Sequence, residues 1–91
     1  MAPQAILGPS GIEFLALCES GKDPKKNTGN GYYGAFQFSI VTWNSLNTGY
    51  TRADLAPYSV QVLAVKKLLS MYNIYDQFPG CAYQMRGLGI I

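Results

Sequence analysis

Glu19 lies in Ala16-Leu17-Cys18-Glu19-Ser20-Gly21, where an apolar helical stretch runs into a glycine, and few other residues in the chain offer acid chemistry. The 91 residues include no histidine, which excludes Ser-His-Asp and Cys-His nucleophile systems and zinc sites built on histidine pairs. Two cysteines are too few for a four-thiolate zinc site, so no metal and no cofactor is implied. The acids are Glu13, Glu19, Asp23, Asp54 and Asp76. Among them Glu19 stands in the last turn of an expected helix, where the negative end of the macrodipole disfavours a carboxylate. Packing among nearby aromatics would add desolvation in the same direction, keeping it protonated above the ~4.3 of a free glutamate, as a general acid requires. Lys22, Lys25 and Lys26 would oppose this if close in space. A solvated helix-end carboxylate is the alternative reading.

The elements that must hold such an acid are those of one small domain. Its size is near the limit at which a single core suffices. The net charge of +2 is too small to mark a nucleic-acid footprint, and the 13% of aromatic residues suits a compact core. Cys18 and Cys81 read as one disulfide that would stabilise the fold by about 4 kcal/mol on the chain-entropy model; two reduced thiols in a cytosolic protein are the alternative. Residues 1–9 lack the basic region and apolar length of a signal peptide, and no run approaches a membrane span. The chain is expected to be a domain of a larger protein, monomeric, or one exported by another route, for example within a phage particle.

Ser10-Gly11-Ile12-Glu13 fits a capping box opening a helix with Ile12, Phe14, Leu15, Leu17 and Cys18 on most of its sides, and Gly21 is placed to end it. Asp23-Pro24 and Asn30-Gly31 signal turns. Tyr32 to Ser39 has strand-like composition, with Gln37 pointing away from Phe36 and Phe38. A short helix follows through Thr42 to Leu46. A long one runs from about Pro57 or Ser59 to Tyr72, with Val62, Val65, Leu69 and Tyr72 on one face, Leu68 beside them, and Lys66 and Lys67 outward. Pro79-Gly80 closes the element region before Cys81. Gly29-Asn30-Gly31-Tyr32-Tyr33-Gly34 matches the dinucleotide pattern G-x-G-x-x-G, but the preceding Lys22 to Asn27 is no buried strand and the chain is too short for a doubly wound sheet. Its glycines fit a tight turn and a close backbone approach to a ligand or a neighbouring strand instead.

Cys18-Glu19-Ser20-Gly21, then Asn27-Thr28-Gly29-Asn30-Gly31-Tyr32-Tyr33-Gly34, Gln37-Phe38, Thr42-Trp43 and Arg52-Ala53-Asp54-Leu55-Ala56, with a long helix and a second cysteine, resemble the catalytic domain of actinobacterial resuscitation-promoting factors. The resemblance covers roughly residues 12–81, within a single domain of 1–91 whose core is about 10–81 and whose tail is 82–91. It implies an α+β, mostly helical, small lysozyme-like fold with a short β-hairpin and one disulfide, acting on peptidoglycan glycan strands outside the cell or at the wall.

Carried over residue by residue, it implies that Glu19 is the catalytic acid and that Cys18 pairs with Cys81. Thr42 becomes a hydroxyl near that acid, and Gln37, Trp43, Tyr32 and Tyr33 fall in segments that build or line the glycan groove; core packing is the alternative for the aromatics. Ala35 replaces an expected glycine beside the cleft and Phe78 a common tryptophan. The Lys22 to Lys26 stretch is more basic than usual. The end at Leu88 to Ile91 would pack on a neighbouring domain.

A shortage of acids then bears on mechanism. Most glycosidases set two carboxylates across the scissile bond, and here only Asp54 accompanies Glu19 in a matching segment, where it could as easily brace the loop. One acid suffices for a lytic transglycosylase cutting the β-1,4 bond between N-acetylmuramic acid and N-acetylglucosamine, with hydrolysis by a muramidase route also open. The other readings are a non-catalytic peptidoglycan-binding module and a wall-penetrating domain of a phage tail protein.

Overall fold

The computed structural model describes residues 7–91, so the reading of the N-terminus falls mostly outside it. Helix α1 (Pro9–Ser20) is followed by a two-stranded antiparallel hairpin, β1 (Tyr32–Tyr33) and β2 (Phe38–Ser39), then by α2 (Ile40–Ser45). A single 3-10 turn at Ala53–Leu55 leads into α3 (Tyr58–Met71), and α4 (Ile74–Gln77) and α5 (Pro79–Gly87) complete the chain. The fold is α+β and mostly helical, with the expected hairpin and the Cys18–Cys81 disulfide.

Helix α1 begins differently from the capping-box expectation. Gly8 is the N-cap and Pro9 the first helical residue, a position where its fixed φ fits and its missing N–H costs nothing. Ser10 therefore lies inside the helix, and Glu13 reaches sideways to Lys22 Nζ at 3.2 Å. Ile12, Leu15 and Ala16 are buried, whereas Leu17 is half exposed, so the helix is sided rather than sunk in the core. Gly21 ends it as expected, at φ 71°, donating to the Leu17 carbonyl.

The segment from Tyr32 to Ser39 is not one strand. Gly34 to Gln37 form the tight turn of the hairpin, and Gln37 itself adopts a left-handed backbone at φ 55°. Gln37 does face away from the buried Phe36 and Phe38, but a turn rather than strand alternation achieves it. Behind the hairpin an aromatic chain crosses the core: Trp43 against Phe38 (5.1 Å between ring centroids), Phe38 against Phe36 (6.2 Å), and Phe36 stacked on Tyr58 (6.0 Å). Such pairs contribute beyond the area they bury.

Helix α3 is rotated from the expected face. Gln61, Ala64, Val65 and Leu68 point inward, Val62 and Leu69 flank them, and Tyr72 is exposed. An apolar count could not place a polar residue on the inner line, yet Gln61 is 0% exposed. Its Oε1 accepts from Ala35 N–H at 2.7 Å, and its Nε2 donates to the carbonyls of Pro24 and Ala56, both at 2.9 Å. One side chain thereby ties together the polar loop after α1, the hairpin turn and the approach to α3. Gly34, at φ 82°, is required beside it, because a Cβ there would collide with Gln61 Oε1 and crowd Ala53. The close approach expected at this glycine-rich segment is to a ligand or a neighbouring strand; the group that approaches is instead a buried side chain of α3.

Pro79-Gly80 does not close the elements. Pro79 opens α5, whose Cys81, Ala82 and Met85 are buried, and α5 packs against α1. The C-terminal residues return to their own domain: Ile91 packs on the core and Ile90 lies near Gly11. Asp54 is held by a two-pronged bond to Arg52 at 2.8 and 2.9 Å, which keeps its carboxyl below its ordinary pKa.

Replacing Gln61 by leucine would strand a buried N–H and two carbonyls. The expected loss is about 3 kcal/mol or more, read as a lower urea midpoint. A loss under about 1 kcal/mol would mean that the three segments do not depend on that amide.

Candidate active site

An open cleft of about 450 Å³ lies between three parts of the chain. Glu19 enters from the last turn of α1; Asn30, Tyr32 and Gln37 form the hairpin side; Gln77, Phe78, Pro79 and Gly80 come from the joint between α4 and α5. The disulfide spans this arrangement from behind. Cys18 adjoins Glu19 and Cys81 adjoins Gly80, with Cα atoms 5.9 Å apart, so two walls separated by 63 residues in sequence are joined beside the acid.

Ser20 fixes the third wall. Its buried Oγ lies 2.7 Å from the Ala35 carbonyl and 3.1 Å from that of Ala16, and accepts from Asp23 N–H at 3.0 Å. The residue after Glu19 thus ties the helix end to the hairpin turn. Ala35, which replaces an expected glycine beside the cleft, has its methyl group in the core.

Glu19 is part-buried, and loss of hydration raises its carboxyl above the ordinary glutamate value. The lysines do not counter this. Lys22 points to the opposite flank of α1, paired with Glu13 and set 5.6 Å above the Tyr58 ring. Among the described residues no other carboxylate lines the cleft; Asp54 is committed to Arg52 with only 8% of its side chain exposed.

Of the residues singled out from sequence, the structure brings Glu19, Tyr32 and Gln37 together. Tyr32 is 50% exposed and offers its ring to solvent. Gln37 is braced by its Nε2 bond to the Gly34 carbonyl at 2.9 Å. Trp43 does not present a face: it is 1% exposed and its indole N–H donates to the Tyr50 carbonyl at 2.8 Å, so it supports the hairpin from within. The ring of Tyr33 is covered by the Arg52 guanidinium at 4.8 Å. Thr42 is part-buried on α2 and lies outside the cleft lining, its N–H capped by Ser39 Oγ.

Asn30 and Gln77 were not singled out from sequence. Asn30 sits within the glycine-rich motif and could have been found there, whereas nothing local marks Gln77.

Residues 10–81, from the first turn of α1 to the second cysteine, match the model of the transglycosylase-like domain. The chain belongs to that family. This transglycosylase-like domain is 45% identical over 88 residues to a resuscitation-promoting factor of Corynebacterium glutamicum, covering 90% of the chain and 44% of that protein. It is also 35% identical over 78 residues to the resuscitation-promoting factor RpfC of Mycobacterium tuberculosis, covering 85% of the chain and 54% of the relative. The chain therefore spans about half the length of these curated relatives. The resemblance drawn from the Cys18-Glu19-Ser20-Gly21 and glycine-tyrosine motifs is borne out.

The raised Glu19 pKa has a consequence for stability. The folded state binds this proton more tightly than the unfolded one, so Glu19 costs stability as pH rises from the ordinary glutamate value through its raised folded value. Glu19→Gln should melt higher than the parent at pH 7 and at the same temperature near pH 3. Equal melting at both pH values would show that the carboxyl is not desolvated.

Proposed function

We propose that this domain cleaves the glycan strands of peptidoglycan, and that Glu19 does so as a lytic transglycosylase acid. The observation that carries this reading is a part-buried, protonation-prone carboxyl in an open cleft that contains no other carboxylate. Membership of the transglycosylase-like family supports the substrate class.

Glu19 protonates the glycosidic oxygen between N-acetylmuramic acid and N-acetylglucosamine, and the bond from the muramic C1 to that oxygen breaks. The carbonyl oxygen of the muramic N-acetyl group stabilises the electron-poor C1. Glu19, now a carboxylate, takes the proton of the muramic C6 hydroxyl as its oxygen bonds to C1. The acid is restored and a 1,6-anhydro ring closes. No second protein carboxylate is needed, because the substrate supplies both the stabilising group and the nucleophile.

The remaining cleft residues suit a sugar polymer. Tyr32 offers an aromatic face to ring C–H surface, and Asn30 and Gln37 offer amides to hydroxyls. Action at the cell wall, outside the cytoplasm, agrees with a structural disulfide. The bacterial relatives lend the virion location no support.

Mass spectrometry of muropeptides released from purified peptidoglycan tests the reaction. Anhydro-muramic ends are expected, falling at least about a hundredfold in Glu19→Gln. The rate at low substrate should decline as pH rises through the raised Glu19 pKa, since the first step needs the protonated acid. Reducing muramic ends would mean hydrolysis, and no products from the oxidised domain would favour a binding module.

A further inference from the structure

Three carboxamides line the cleft, and they differ in how much of their bonding capacity the fold itself consumes. Asn30 spends its Oδ1 on the Tyr32 N–H at 3.1 Å, and Gln37 spends its Nε2 on the Gly34 carbonyl at 2.9 Å. Gln77 spends neither end: among the described residues its side chain has no hydrogen-bond partner, although the residue is part-buried. A carboxamide in that position carries a donor pair and an acceptor that only water or a ligand can satisfy.

Its backbone, by contrast, is tightly held. Gln77 is the last residue of α4, its N–H donates to the Asn73 carbonyl at 3.2 Å, and the next residue, Phe78, is buried. Four residues on, Cys81 is bonded to the neighbour of Glu19. Gln77 is thus an uncommitted amide on a rigid support, in the same cleft as Glu19 but contributed by the α4–α5 joint rather than the hairpin.

We infer that Gln77 is a specificity-determining residue whose Nε2 donates to an amide carbonyl of the bound glycan. This rests on the peptidoglycan reading and extends it. Amide carbonyls occur in that polymer both on the sugar rings, as acetamido groups, and in the peptide stems. The acetamido group is the better match, because Glu19 must reach a glycosidic oxygen and the groups nearest that oxygen are ring substituents. Gln77 positions the strand and does not take part in proton transfer.

The test measures binding of soluble glycan fragments in a Glu19→Gln background, where turnover cannot interfere, with Gln77→Ala and the similarly long Gln77→Met added. Three substrates are compared: stem-free fragments, the same fragments after de-N-acetylation, and fragments that keep their stems. On stem-free N-acetylated fragments both variants should bind about tenfold more weakly, as expected for one good hydrogen bond in a part-buried site. That difference should vanish on de-N-acetylated fragments.

A loss confined to stem-bearing fragments would support the amide pairing and assign the carbonyl to the stem. Unchanged affinity in both variants, or an equal loss on fragments lacking both amides, would overturn the inference. With Glu19 restored, Gln77→Met should raise KM and leave kcat near the parent value. If the parent releases no products, the cleavage reading fails while the binding comparison still decides Gln77.

Discussion

The covalent bond between Cys18 and Cys81 is the constraint on which the cleft depends. Each cysteine is one residue from a cleft wall, Glu19 on one side and Gly80 on the other. A domain of this size buries limited apolar area, so packing alone gives it little stability to spare. Closing a loop of this length restricts the unfolded chain most where the folded chain needs accuracy, at the junction of α1 with α5. The bond holds the end of α1 that carries Glu19 beside the start of α5.

A second set of restraints is polar and buried. Gln61 and Ser20 both bond to Ala35, one to its N–H and the other to its carbonyl, so the hairpin turn is held from two sides by groups that cannot slide. An apolar core of the same shape would permit many small rearrangements, whereas a satisfied buried amide accepts only the geometry that pairs all its atoms. The strained backbone of Gln37 persists within that turn. Gly34 is the counterpart of this precision, leaving room for Gln61 where any side chain would intrude.

The electrostatics of the site follow from what is kept away from it. Glu13 of α1 pairs with Lys22 in the basic loop that follows the helix, and that loop does not offset the effect of burial on Glu19. Burial alone then raises its pKa, which is the setting a proton donor needs near neutral pH. Asp54, similar in chemistry, is shifted the other way by its bond to Arg52. Two carboxyls of one small domain thus have their pKa values pushed in opposite directions by their surroundings.

The sequence by itself singled out Glu19 as a candidate acid and determined the pair of cysteines, the helix stop at Gly21, the turn-rich loop and the family, because these depend on residue type and on spacing along the chain. It also pointed to a close approach at the glycine-rich segment, but to a ligand or a neighbouring strand rather than to a helix side chain. Only the tertiary structure decided that Gln61 fills that space, that Trp43 and Tyr33 serve the scaffold, that Pro79 starts a helix, and that Gln77 lines the same cleft as Glu19. The physical reason is that burial and pairing are properties of neighbours distant in sequence. A hydrogen bond from position 61 to position 35, or a guanidinium laid over a tyrosine ring, leaves no periodic trace in the residues that make it.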